Sequence, residues 1–174
     1  VDFDREQLLP EMFSNEGPKI ATADLNKDGN PDFYIGGAKG QNGKLFISNS
    51  IKGYSEIIEP FNLNLKSEDT DAVFFDSDND GDLDLYVASG GKSFSKFDFA
   101  LNDRLYINDG SNNFSLKTDA LNFKFPISTS TVSVYDYDND GDNDIFIGER
   151  FKVESYGVPC SGYILENIGD NTFE

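Results

Sequence analysis

The 174-residue sequence has no histidine, no tryptophan, one cysteine and one methionine. Without histidine there is no Ser-His or Cys-His nucleophile pair, no imidazole general base and no imidazole metal site. A lone Cys160 excludes an internal disulfide and a cysteine-cluster zinc site. With no histidine to activate it, Cys160 reads as a passive or buried thiol. No apolar run approaches the roughly 20 residues of a membrane-spanning helix. No signal peptide, low-complexity stretch or long helical pattern is visible, and a chain starting at Val1 is expected to be a processed or truncated piece of a longer one. Positive charge is scarce: 14 Lys and Arg stand against 32 Asp and Glu, a formal net charge of −18. That balance disfavours nucleic acid and anionic membrane as partners, because phosphate binding needs clustered cations.

What is present is aromatic and acidic. Sixteen Phe and eight Tyr, with 37% hydrophobic residues overall, suit an all-β domain with a real core rather than a disordered acidic tail. The acid is concentrated. Asp24-Leu25-Asn26-Lys27-Asp28-Gly29-Asn30-Pro31-Asp32, Asp76-Ser77-Asp78-Asn79-Asp80-Gly81-Asp82-Leu83-Asp84 and Asp136-Tyr137-Asp138-Asn139-Asp140-Gly141-Asp142-Asn143-Asp144 hold 13 of the 32 acidic residues. Each has side-chain oxygens at positions 1, 3, 5 and 9 and glycine at position 6. Such a run repels itself unless a hard dication with oxygen ligands neutralises it, and the glycine lets the backbone fold back around that ion.

The first half of the pattern matches an EF-hand loop. The second half does not: the Glu required at position 12 is replaced by Ile35, Val87 and Ile147, and the flanks read as strands. The candidate calcium residues are Asp24, Asn26, Asp28, Asn30 and Asp32; Asp76, Asp78, Asp80, Asp82 and Asp84; and Asp136, Asp138, Asp140, Asp142 and Asp144. Position 7 is expected to act through its carbonyl. One Ca2+ is expected per loop, three in all, with a structural role, and loop 1, with Asn26 and three carboxylates, is expected to bind most weakly.

The loops begin 52 and then 60 residues apart, and their flanks repeat with them. Short β-branched and aromatic runs precede and follow each loop, a third run lies further on, and a fourth follows a Gly/Asn turn. The chain is therefore predicted to form three four-stranded antiparallel units, at 19–58, 71–118 and 131–174. Residues 1–18 are expected to pack on the first unit or to be the remnant of a preceding one. The links around Pro60 and Pro126 are too apolar to be free linkers and are expected to lie on the body of the protein.

The links between the second and third strands vary most, and long insertions on one face often mark a binding surface. Lys92, Phe94, Phe97 and Phe99 in the second unit, and Arg150, Phe151 and Tyr156 in the third, are the candidate partner-binding residues, since exposed aromatics beside cations suit protein or glycan ligands. Asp103 and Glu149 invite comparison with a glycosidase pair, but nothing in the sequence sets their separation. No catalytic residue is assigned, and the chain is not expected to be an enzyme. Arg104 and Arg150 are expected to pair with carboxylates.

The recurring Asp-x-(Asp/Asn)-x-Asp-Gly-x-x-Asp between two strands resembles the FG-GAP and VCBS repeats of integrin-α-like β-propellers, with wording nearest to the bacterial VCBS type. Phe74 to Gly91, Asn102 to Gly110 and Glu16-Gly17-Pro18 carry the likeness. The resemblance implies that each unit is a propeller blade with calcium in its strand 1–2 loop, on a secreted or cell-surface protein of bacterial type that binds partners. Three blades cannot close a ring, since propellers have four to eight, so neighbouring blades or chains are expected to complete it. The expected function is a calcium-binding extracellular β-propeller scaffold for protein interaction or adhesion. A lectin-like glycan module and a non-catalytic accessory domain of a secreted enzyme are the alternatives.

Overall fold

The runs that flank each acidic loop form strands, and the loops turn one strand into the next. The computed structural model describes residues 19–49, 53–123, 125–155 and 157–174. Blade 1 is a four-stranded sheet of β1 (Ile20–Ala23), β2 (Asp32–Ile35), β3 (Lys44–Asn49) and β4 (Gly53–Ile57), paired in chain order. Blade 2 repeats it with β5 (Asp69–Phe75), β6 (Asp84–Ser89), β7 (Arg104–Asn108) and β8 (Phe114–Lys117). Blade 3 has β9 (Thr129–Tyr135), β10 (Asp144–Glu149) and β11 (Gly162–Leu165). All pairings within these sheets are antiparallel. The architecture is all-β, a partial β-propeller, as the sequence predicts, with one difference. The fourth strand expected at Thr172-Phe173 is reduced to a hairpin stub bridging Asn167 to Phe173, because Phe173 also bonds to Ala120 and Asn122 in the link between blades 2 and 3.

The first strands of successive blades lie side by side, β1 against β5 and β5 against β9. The Thr70 hydroxyl donates to the Thr129 carbonyl at 2.7 Å, and the Val132 N–H to Asp71 at 3.0 Å. Alternation along the strands then gives each sheet two faces. Ala21, Tyr34, Leu45 and Ile47 of blade 1 meet Leu85, Val87 and Tyr106 of blade 2, and Phe61 of the link plugs the seam within 6 Å of Tyr34, Tyr106 and Phe114. On its other face blade 2 turns Phe75, Tyr86, Ala88 and Leu105 to Ile145, Ile147 and Leu165 of blade 3, with Phe173 and Ala120 as the plug. Strand β6 sits between two neighbours and is buried at every residue. Both links therefore lie on the body, as expected.

Two buried carboxylates tie the blades together at the end opposite the loops. Asp69 accepts from the Tyr34 hydroxyl and the Gly37 N–H, and pairs with Arg104. Asp103 accepts from the Tyr86 hydroxyl, the Ser89 N–H and the Thr129 hydroxyl at 2.7–2.8 Å. Burial pushes Asp103 up to about 6 despite those bonds, and burial together with Asp103 keeps the Tyr86 phenol protonated. Cys160 is exposed, not buried. No helix among the described residues is long and apolar enough to cross a membrane.

Candidate metal centre

The three loops share one backbone frame. Position 1 accepts two backbone N–H groups, from positions 5 and 6: Asp24 from Asp28 and Gly29, Asp76 from Asp80 and Gly81, Asp136 from Asp140 and Gly141. The turn needs left-handed backbone at position 4, where Lys27, Asn79 and Asn139 have φ of 57°, 59° and 64°. It needs it again at position 6, where Gly29, Gly81 and Gly141 have φ of 84°, 90° and 101°.

Position 9 anchors the frame. In each copy one carboxylate oxygen takes the position 2 N–H: Leu25 to Asp32 at 2.7 Å, Ser77 to Asp84 at 3.1 Å, Tyr137 to Asp144 at 3.0 Å. The other oxygen takes an N–H from the third strand or, in blade 3, from just past its end: Ser48 to Asp32 at 2.6 Å, Asn108 to Asp84 and Asn167 to Asp144 at 2.8 Å. All three aspartates are buried. Burial raises Asp84 to about 6 against the opposing bonds from Ser77 and Asn108. Ser48, Asn108 and Asn167 have no role in the sequence reading. Their only sequence signal is a polar residue recurring in an otherwise apolar third strand, 16, 24 and 23 residues after position 9.

On that frame the ligand sets diverge. Carboxylate oxygens of Asp76, Asp78 and Asp80 lie within 4.8 Å of one another, as do those of Asp136, Asp138 and Asp144. Loop 1 gathers no such trio of acids among the described residues. Asn26 stands at position 3, accepting from the Asp28 N–H and donating to the Ser48 carbonyl, and Asp28 is held by the Ser48 hydroxyl and the Asn30 amides. The Asn30 N–H holds the Asp28 carboxyl below the usual carboxylate range. Donors in loops 2 and 3 are oxygen only, anionic and closely spaced, which fits a hard dication such as Ca2+ and suits no soft metal.

Position 7 has a second use. Lys27 of loop 1 donates to the Gly81 carbonyl and the Asp82 carboxylate of loop 2, both at 3.1 Å. Asn79 of loop 2 does the same to Gly141 at 3.3 Å and Asp142 at 2.6 Å in loop 3. The side chains of Asp82 and Asp142 thus face the preceding blade, leaving the position 7 carbonyl for a cation. Asn143, Asn167 and Asn171 of blade 3 also bond loop 2, at Asp76, Ser77 and Asp78.

The opposite end carries the candidate partner residues. Phe97 and Phe99 are exposed. Phe97 and Phe125 approach with ring centroids 6.0 Å apart and wall a groove of about 410 Å³ with Lys96, Glu149, Lys152 and Tyr163. Phe94 is buried with Ala100, Leu101 and Val153 in a small core that the two long links share. Phe151 is half-buried beneath the Lys92 ammonium, 4.5 Å from the ring centre, and Arg150 and Phe151 line a cleft with Asp69 and Thr129. Tyr156 lies outside the described residues. Asp103 is buried and Glu149 pairs with Lys152.

Residues 24–87, from the first loop into β6, match the family model of the FG-GAP-like repeat. That match, on a three-sheet antiparallel fold, supports an FG-GAP-like repeat family and with it a propeller-type interaction scaffold. No curated protein matches the chain.

Proposed function

We propose that the chain is a calcium-braced propeller segment of a secreted or cell-surface protein, that it binds other proteins or mediates adhesion, and that it performs no catalysis. The observation that carries the calcium reading is the pair of carboxylate clusters on a shared hydrogen-bonded frame. Asp76, Asp78 and Asp80 would hold one ion with Asp84 behind them; Asp136, Asp138 and Asp144 would hold another. The ion supplies charge neutralisation and ties the loop ends of two strands together. Loop 1 has the same frame and a poorer donor set, so its site is the weakest. The millimolar free calcium that weak loops need is found outside the cytoplasm, which supports an extracellular setting.

Calorimetric titration with Ca2+, alongside melting curves in Ca2+ and in EDTA, tests the proposal. Two tighter sites and a raised melting temperature are expected; no heat and superimposable melts would end it. The exposed Phe97–Phe125 pair beside Lys96 supports a second reading, a glycan-binding face. Binding on a glycan array, abolished by Phe97→Ala, would favour the glycan over a protein partner.

A further inference from the structure

Loops 2 and 3 are joined to each other more closely than loop 2 is to loop 1. Asparagine amides cross the seam between blades 2 and 3. Asn143, beside Asp144 in loop 3, donates to the Asp76 carbonyl at 3.2 Å. Asn167 donates to the Ser77 carbonyl and Asn171 to the Asp78 carboxylate, both at 2.9 Å. The Ser77 hydroxyl lies between Asp84 and the Asn171 amide. In the other direction Asn79 donates to the Gly141 carbonyl and to Asp142. Asp76, Ser77 and Asp78, the start of loop 2, are thus held from blade 3, and two of them belong to the loop 2 carboxylate cluster.

The equivalent places in blade 2 do not hold loop 1 in this way. Leu83 stands where Asn143 does, and Leu25 where Ser77 does, so the amide and the hydroxyl are both missing. Asn112 matches Asn171 in the hairpin that follows the third strand and shares its left-handed backbone, with φ of 61° against 57°. Its side-chain oxygen is nevertheless buried without a hydrogen-bond partner. Asn108, the counterpart of Asn167, gives its amide to Leu83 of its own blade. Among the described residues, the exposed Lys27 side chain carries the bonds from loop 1 to loop 2.

Asn167 serves both loops of the joined pair. Its backbone N–H donates to Asp144, a member of the loop 3 cluster, while its side chain holds the Ser77 and Asn143 carbonyls. An ion that fixes Asp144 therefore also fixes the residue that holds loop 2 between Asp76 and Asp78. Ordering done for the first ion is not repeated for the second, and shared ordering of this kind is positive cooperativity. We propose that loops 2 and 3 bind calcium as a coupled pair, that Asn143, Asn167 and Asn171 are the positioning residues that couple them, and that loop 1 stands outside the pair. The proposal rests on the calcium reading above. Coupling is reciprocal, so each ion raises the affinity for the other by the same factor.

Calorimetric titration with Ca2+, fitted for cooperativity, tests the proposal. The two tighter ions should enter in one steep step, with a Hill coefficient above unity. Asp80→Asn, which removes a loop 2 carboxylate, should weaken calcium at loop 3 by about fivefold or more. Asn171→Ala and Asn143→Ala, at half-buried positions, should bring the Hill coefficient towards unity. Their cooperative melts in EDTA by circular dichroism should persist, separating lost coupling from lost folding. Asn167→Ala keeps the backbone N–H to Asp144 and should also uncouple the pair. Asn112→Ala, at the matching place in blade 2, should leave the titration unchanged. Two ions bound independently, or a steep titration indifferent to Asn171→Ala, Asn143→Ala and Asn167→Ala, would overturn the coupling alone. No binding heat at all would overturn the calcium reading along with it.

Discussion

Loop 1 and loop 3 are built on the same frame and do different work with it. In both, position 1 gathers the N–H groups of positions 5 and 6, and position 9 takes one N–H from position 2 and one from the third strand. Loop 3 then converges Asp136, Asp138 and Asp144, whereas loop 1 spends Asn26 and Asp28 on contacts with Ser48. The comparison separates two functions that the repeated motif runs together. Positions 1, 6 and 9 make a turn that stands on its own hydrogen bonds; whether a carboxylate stands free at position 3, joined to position 1 by position 5 in loop 2 and by position 9 in loop 3, decides how much charge is gathered for a cation.

The largest expected effect breaks that comparison at the cation. A ligand at 100 times its Kd stabilises the folded state by about 3 kcal/mol, so two occupied sites give a large difference between melts in Ca2+ and in EDTA. Asp138→Asn should remove most of one site's share. Asp28→Asn in loop 1 should change the difference little. Equal losses from the two substitutions would mean that the loops are equivalent binders.

Next comes the frame itself. Asp84→Ala leaves the N–H groups of Ser77 and Asn108 without their buried acceptor, at about 1–3 kcal/mol each. That loss should appear in EDTA as well as in Ca2+. Asp80→Asn, by contrast, should lower the melting temperature in Ca2+ alone. A loss confined to Ca2+ for both variants would show that position 9 is a ligand and not an anchor.

Proton linkage gives a smaller effect of opposite sign to ordinary acid denaturation. Asp84 and Asp103 lie near 6 in the fold, above the unfolded value near 4, so between these pH values the native state binds more protons. Stability from this source is greatest below the unfolded value and is lost as pH rises through about 6. In EDTA the protein should therefore gain stability, by roughly 1 kcal/mol or more, as pH falls from 7 to 5. In saturating Ca2+ the trend should flatten or reverse, because protons compete with the cation. A metal-free melting temperature that falls steadily from pH 7 to 5 would contradict the burial assigned to these two groups.

The frame's local parts were legible in the sequence because they are contiguous: spacing and glycine at position 6 placed the loops, and the flanking runs placed the strands. The anchors from Ser48, Asn108 and Asn167 were not, because they depend on how β3, β7 and β11 register against β2, β6 and β10. The pairing of Arg104 with Asp69 across 35 residues was hidden for the same reason; in a chain this acidic, nearby carboxylates are everywhere in sequence. Phe94 and Phe97 look alike in sequence, three residues apart on one link. Only the fold decides that the first packs against Leu101 and the second faces solvent.

The smallest effect sharpens the comparison at position 4. Lys27 and Asn79 make the same clasp, but left-handed backbone is tolerated by asparagine and costs lysine about 1–2 kcal/mol. The Lys27 ion pair with Asp82 is exposed, its lysine side chain at 68%, and such pairs are worth under about 1 kcal/mol. Lys27→Asn keeps an amide donor of proven reach and relieves the backbone, so a gain of a few tenths of a kcal/mol is expected in EDTA. Lys27→Ala loses the donor and keeps most of the strain, so it should be slightly destabilising. Both variants remove a positive charge from beside Asp82, and calcium at loop 2 should tighten by about twofold in each. If Lys27→Asn instead weakens calcium binding at loop 2, the ammonium is orienting the position 7 backbone rather than merely screening its carboxylate.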